Sequence, residues 1–183
     1  MKPEFVKQQV DRWLTSVVIG LNLCPFAQHE YRQNTIRFSV SAATLEDDVV
    51  SDLIAELTTL NEHDDIETSL LILPKALSDF FDFNDFLGLA DQIIEKMGLD
   101  GVFQVASFHP DYQFAGTQTD DPENYTNRSP YPILHLLREA SLEYAIERHP
   151  NVDKIPEDNI ELMSTLGNKY MASLLQKCVR LDD

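Results

Sequence analysis

Hydrophobic positions along the chain follow two periods. Stretches in which apolar residues recur every three or four positions predict amphipathic helices, and short stretches that alternate or are wholly apolar predict strands. Helix ends are marked by Pro25, which disfavours helical geometry at the residue before it, and by Gly98. The predicted elements are a helix over 3–24, a strand over 35–40, a helix over 44–60, a strand over 68–73, a helix over 82–97, a strand over 101–108, and helices over 130–148 and 156–178.

The order strand, helix, strand, helix, strand between residues 35 and 108 predicts the fold class. Strands joined through a crossover helix are usually parallel. We therefore expect an α/β fold with a small, mainly parallel sheet, an N-terminal helix and two C-terminal helices. A two-layer α+β arrangement, such as a ferredoxin-like one, is the alternative. The length of 183 residues suits a single domain over residues 1–183.

The chain is strongly acidic. It holds 14 Lys and Arg against 31 Asp and Glu, a formal net charge of −17 at pH 7. Such a chain repels phosphate backbones and anionic membrane surfaces, and its apolar runs are too short to span a bilayer. We therefore expect neither a nucleic acid nor a membrane as a partner.

The cysteines and the N-terminal residues predict a cytoplasmic location. Cys24 and Cys178 are far apart and form no CxxC pair, which argues against a zinc ribbon and against a disulfide scaffold. The first residues, MKPEFVKQQVDRW, carry charges where a signal peptide has an apolar core.

The segment from His109 to Glu139 is the predicted working site. After the third strand the chain runs HPDYQFAGTQTDDPENYTNRSP, without helical or strand periodicity. A segment of this length inside a compact domain is usually functional or disordered, and its aromatic residues favour order. Parallel α/β sheets also bind ligands at the carboxyl ends of their strands, where this segment begins.

The far end of this segment has the features of an anion site. Ser129 is placed to cap the helix predicted over 130–148, and a helix N-terminus offers free N–H groups and partial positive charge. Cationic and amide side chains stand nearby. The predicted anion-binding residues are Asn124, Asn127, Arg128, Ser129 and Arg138.

Four residues are candidates for catalysis. An imidazole titrates near neutral pH, so His109, oriented by Asp111, suits a general acid or base, with His135 assisting it. Cys24 lies in a turn before Pro25 and could serve as a nucleophile if a base lay near it. The simpler interpretations are a surface His135–Glu139 pair, four residues apart on one helix, a His109 that only caps a turn at the end of its strand, and a buried, inert Cys24.

Metal and cofactor signals are weak. His109, Asp111, His135 and Glu139 are metal-ligand types, but the chain has no HExxH motif. It also has no P-loop, no GxGxxG motif and no GxSxG motif. No cofactor is therefore named by the sequence, and no metal ligands are assigned.

Three blocks together resemble a known family. They are GLNLCPFA at 20–27, FHPDYQFAGT at 108–117 and NYTNRSPYPILHLLRE at 124–139. They resemble an uncharacterised bacterial family, the domain-of-unknown-function group numbered 1415, and the resemblance extends over essentially the whole chain. It implies that the candidate residues fall inside the family's characteristic blocks, and it assigns them no role.

These observations support three hypotheses about function. The leading one is a small enzyme that acts on a small anionic metabolite. The second is a non-catalytic binding or interaction module that uses exposed loop aromatics such as Tyr112 and Tyr125. The third is a metal-dependent hydrolase. The sequence specifies neither the reaction nor the oligomeric state.

Overall fold

The computed structural model describes residues 2–180 as a four-stranded sheet with helices on both faces. No helix within these residues is long and apolar enough to cross a membrane. The elements are α1 (Pro3–Trp13), a π-helical continuation (Leu14–Ile19), α2 (Ala27–Gln33), β1 (Ile36–Val40), α3 (Glu46–Glu62), β2 (Thr68–Ile72), α4 (Phe80–Lys96), β3 (Phe103–Phe108), a 3-10 turn (Pro122–Thr126), β4 (Ile133–Arg138), α5 (Glu139–Arg148), a 3-10 turn (Val152–Lys154) and α6 (Ile155–Val179).

The α/β class is confirmed, but the prediction of a mainly parallel sheet is wrong. The strand order is β1-β2-β4-β3, with β1 parallel to β2 and with β4 antiparallel to both of its neighbours. The strands β1, β2 and β3 point the same way, as crossovers through α3 and α4 require. The sheet is mixed because the chain turns back after β3 and inserts β4 between β2 and β3.

The helix predicted over 130–148 is the source of this error. Residues Ile133–Arg138 form strand β4, and the helix begins at Glu139. The run ILHLLR is apolar on both faces because β4 is a central strand, and such a run fits a buried helix equally well. As a consequence, Ser129 caps no helix, and His135 and Glu139 do not share a helix face.

The other predicted elements agree with the structure to within a few residues, with local exceptions. The first helix passes into π-helical turns, and α2 was not predicted. Helix α4 begins earlier than expected because the Asp79 carboxylate accepts the backbone N–H groups of Phe81 and Asp82. Helix α6 is interrupted at Gly167, where φ is 75°.

The sheet separates two hydrophobic cores. All five residues of β2 are buried, and consecutive side chains point to opposite faces. Leu71, Leu134 and Leu136 pack in the core beneath α3 and α4. Leu70, Ile72 and Ile133 pack in the core beneath α1 and α6.

An ion pair between a buried carboxylate and an exposed arginine lies on the α3 side. The Glu56 carboxylate of α3 is 4% exposed and accepts hydrogen bonds from Arg37 Nε (2.6 Å) and Ser69 Oγ (2.5 Å). Because both partners come from strands of the sheet, this carboxylate is internally satisfied and holds α3 to β1 and β2.

Gly20 ends the π-helical segment in a conformation that leaves no room for a side chain. A Cβ at Gly20 would lie 2.5 Å from the Ser16 carbonyl oxygen. We expect Gly20→Ala to lower the free energy of unfolding by about 1–3 kcal/mol, measured by urea denaturation. Gly88→Ala is the matched control because a Cβ at this position of α4 meets nothing within 4 Å. It should raise the same free energy by about 0.5–1 kcal/mol. Equal effects of the two substitutions would contradict the π-helical geometry.

Candidate functional site

The segment after β3 is an ordered loop held by its own side chains. Asn124 is fully buried, and its Oδ1 accepts hydrogen bonds from Phe114 N (3.0 Å) and Thr117 Oγ1 (2.9 Å). Its Nδ2 donates to the Gln118 carbonyl at 2.7 Å. One amide therefore satisfies two backbone groups and one hydroxyl group of a segment that forms no regular structure.

The remaining predicted anion-binding residues of the loop also bind backbone carbonyls. Arg128 donates from Nε to Tyr112 O (3.2 Å) and from Nη2 to Thr119 O (2.8 Å). Its guanidinium stacks 4.6 Å from the centre of the Tyr125 ring. Asn127 Nδ2 donates to Ser107 O and Ser129 Oγ to Tyr131 O, so the structure gives all of these side chains a role in shaping the loop.

The two loop tyrosines are not the exposed aromatics that an interaction surface requires. Tyr125 is 8% exposed. The Tyr112 ring lies 5.2 Å from Phe80 and 4.9 Å from Phe114.

His109 is fully buried at the end of β3, between Phe80 and Phe83 of α4. Its Nδ1 accepts the backbone N–H of Asp111 (3.0 Å), and its Nε2 donates to the Leu77 carbonyl (3.2 Å). Burial lowers the pKa of this imidazole, which suits the neutral ring that these bonds require. His109 thus joins two loops, while the side chain of Asp111 is exposed.

His135 lies on the opposite face of the sheet from His109. It sits on β4 between Leu70 of β2 and Ala106 of β3. The structure therefore does not bring His135 beside His109, although the sequence predicted that one would assist the other. The reason is geometric, because His109 points toward α4 whereas His135 points toward α1.

His135 instead lines a cavity of about 250 Å³ between the sheet, α1 and α5, which we call the inner cavity. Its apolar wall consists of Trp13, Leu14, Val18, Phe26, Ala27, Ile36, Leu70, Ala106, Phe108, Leu137, Leu142 and Ala145. Its polar members are Cys24, Glu30, Glu67, Thr68, His135, Arg138 and Ser141.

The hydrogen bonds of Thr68 fix the tautomer of His135. Thr68 Oγ1 lies 2.6 Å from the Leu136 carbonyl oxygen and 2.7 Å from His135 Nε2. A carbonyl only accepts, so the hydroxyl proton goes to Leu136 and His135 donates its Nε2–H to Thr68. Nδ1 is then a lone-pair acceptor. The ring keeps some accessible surface because it lines the cavity, yet burial lowers the pKa of His135 to about 4.

Two carboxylates lie where the inner cavity adjoins a second space. Glu30 and Glu67 line both the inner cavity and an outer hollow of about 630 Å³ beside α5. Glu30 Oε2 accepts the Thr35 hydroxyl at 2.7 Å. Glu67 Oε1 is buried and has no hydrogen-bond partner within residues 2–180.

Cys24 and Arg138 complete the polar lining. Cys24 is a partly accessible free thiol. Arg138 donates from Nε to the carbonyl of Ile66 and from Nη2 to those of Leu60 and His63, so its guanidinium caps the end of α3. Of the predicted catalytic residues, the inner cavity therefore brings together Cys24 and His135, and neither His109 nor Asp111 lines it.

Within the described chain, no group of three or more His, Cys, Asp or Glu side chains is placed to hold a metal ion. Among the four candidate ligands noted in the sequence, His109 and His135 lie on opposite faces of the sheet.

Sequence reasoning did not select Trp13, Glu67 or Thr68 as site residues. Trp13 appeared as a core position of an amphipathic helix, and it is 1% exposed. Glu67 and Thr68 did carry a signal, because a charged and a hydroxyl side chain stand directly before the wholly apolar run of β2. Polar groups that enter a buried strand need partners or a ligand.

A family model described as "Protein of unknown function (DUF1415)" matches residues 5–173 of the chain. No curated protein and no solved structure matches it.

His109 generates a stability prediction. His109→Ala removes both ring hydrogen bonds and leaves a void beside Phe83, so we expect the free energy of unfolding to fall by about 2–4 kcal/mol. Asp111→Ala is the control, because the backbone N–H that binds His109 remains, and it should change stability by about 0.5 kcal/mol or less. Urea denaturation measures both. An unchanged stability of His109→Ala would show that the ring is not structural.

The lowered pKa of His135 generates a pH prediction. The folded pKa of about 4 lies below the unfolded value of 6.5. As the pH falls from 6.5 to 4, the unfolded chain binds the proton first, and stability is lost over that window. We expect His135→Gln, which keeps a donor for Thr68, to lose roughly 3 kcal/mol less across this window than the parent protein. The exposed His63, replaced by Gln, is the control, and an equal pH dependence of the parent and His135→Gln would refute the assignment.

Proposed function

We propose that this chain, which belongs to the DUF1415 family of proteins of unknown function, binds a small, mainly apolar molecule in the inner cavity. The observation that carries the proposal is a cavity of about 250 Å³ whose lining is mainly apolar and includes a few polar groups. Ligand sites are typically concave and apolar, with a few polar groups that fix the orientation of the ligand.

The size of the cavity sets the size of the ligand. An apolar cavity of about 150 Å³ takes a molecule such as benzene, so 250 Å³ suits roughly ten non-hydrogen atoms. The charge of −17 supports a neutral or cationic molecule over a nucleic acid. The free thiols of Cys24 and Cys178 support a reducing compartment such as the cytoplasm.

An enzyme acting on a small metabolite is the second candidate. The observation in its favour is that Cys24 and His135 line the same cavity, so a thiol and a lone-pair nitrogen stand near any bound molecule. The preference for an anion has less support, because Arg128 and Arg138 bind carbonyls and a strand, not a helix, follows Ser129. Chemical change of the bound molecule distinguishes this candidate from simple binding.

No observation favours the other two hypotheses. A metal-dependent hydrolase lacks a three-ligand group within residues 2–180, and an interaction surface on the loop lacks exposed tyrosines.

The single tryptophan of the chain, Trp13, lines the inner cavity and reports on its occupancy. We expect 1-octanol to change Trp13 fluorescence saturably, with a Kd on the order of 0.1–1 mM for a ligand of about nine non-hydrogen atoms. Isothermal titration calorimetry provides an independent measurement.

Filling the cavity tests whether the binding is specific. Ala106 of β3 lines the inner cavity, so Ala106→Leu should abolish the saturable signal while the protein still unfolds cooperatively. Ala55→Leu adds the same group at an exposed position of α3 and should bind 1-octanol like the parent. Octanol binding that survives Ala106→Leu would overturn the proposed function.

A further inference from the structure

We infer that the molecule bound in the inner cavity carries an amine, whose N–H groups are received by Glu67 and His135. This inference rests on the proposed function because it assigns the chemical class of the ligand to the same cavity.

Glu67 provides the first unused acceptor. Its Oε1 is buried and accepts no hydrogen bond within residues 2–180, although the residue lines both the inner cavity and the outer hollow. A carboxylate without a donor is costly to bury. Because Glu67 lines the cavity, a donor on a molecule bound there would form a charge-assisted hydrogen bond with its carboxylate.

His135 provides the second unused acceptor. Its Nε2–H is committed to Thr68, whose hydroxyl in turn binds the Leu136 carbonyl. Nδ1 accordingly presents a lone pair, and no hydrogen bond to Nδ1 is formed within the described part of the chain. Both unused polar atoms are therefore acceptors, and a complementary ligand supplies donors.

The charge of the lining favours a cation. Glu30 and Glu67 supply two carboxylates, whereas Arg138 is the one Lys or Arg among the residues that line the inner cavity. The Arg138 guanidinium donates its hydrogen bonds to the carbonyls of Ile66, Leu60 and His63. Within residues 2–180 no ion pair joins it to either carboxylate. An ammonium group gains charge-assisted hydrogen bonds here, and a carboxylate ligand meets repulsion.

The apolar wall determines the rest of the molecule. Trp13, Leu70 and Phe108 surround the space beside His135, so the amine extends from a hydrocarbon body. The ligand class is thus a small alkyl or arylalkyl amine.

Three probes with the same chain test this inference: octylamine, 1-octanol and octanoate, each titrated near neutral pH in about 0.15 M salt, which screens nonspecific attraction to the acidic surface. We expect octylamine to bind about tenfold more tightly than 1-octanol, because charge-assisted hydrogen bonds are the stronger ones, and octanoate to bind most weakly. Trp13 fluorescence ensures that the signal comes from the cavity.

Two variants, each of which removes one carboxylate charge, identify the group that accepts the hydrogen bond of the amine. Glu67→Gln should lower the affinity for octylamine about tenfold and that for 1-octanol by a smaller factor, because the alcohol has no positive charge that the carboxylate attracts. Glu161→Gln removes the same charge at an exposed position of α6 and should change neither affinity. Equal binding of octylamine and 1-octanol, or tighter binding of octanoate, would overturn the inference while leaving the proposed function intact. Failure of all three probes to bind would overturn the proposed function itself.

Discussion

The insertion of β4 between β2 and β3 is the constraint on which the rest of the structure depends. β4 is antiparallel to β3 and pairs Ile133 with Phe108, so the chain must return to the sheet at the end where it left. The connecting loop is long and irregular, and its backbone needs partners that a helix or sheet would otherwise provide. Asn124, Arg128 and His109 supply them. The same insertion places His135 in the middle of the sheet and brings Arg138 to the end of α3.

The parts of the fold that the sequence predicted are those that local periodicity determines. β1 alternates because it is partly accessible, and β2 is wholly apolar because it is covered on both faces. The run that became β4 is different. Its residues Ile133, Leu134, Leu136 and Leu137 suit a buried helix as well as a central strand, and Ser129, Pro130 and Pro132 before it resemble a helix start. The choice is made by pairing with β2 and β3, which are distant along the chain, so no local pattern could reveal it.

Some residues of the candidate site could be selected from the sequence because chemistry-bearing residues are recognisable while their partners are not. Cys24 and His135 were selected for their reactivity, and both line the inner cavity. Arg128, Asn124 and Asn127 were selected for the same kind of reason, yet the groups they bind are carbonyls and N–H groups of their own loop and of β3. Every residue has a backbone carbonyl, so the sequence does not show which of them a side chain will bind. An arginine that binds a ligand and one that binds the backbone therefore look alike until the fold is known.

The inner cavity is itself a cost to the fold, and this is an argument that it is used. Its apolar walls face a space that no other side chain fills, so they lack the packing contacts that a closed core provides. Part of its lining consists of large side chains that pack closely. The rings of Trp13 and Phe108 form an edge-to-face pair with their centres 5.0 Å apart. Small residues such as Ala27, Ala106 and Ala145 leave the space open, and larger ones would close it. A ligand that fills this volume and supplies donors to Glu67 and His135 would recover both the packing and the hydrogen bonds, so its binding would stabilise the fold.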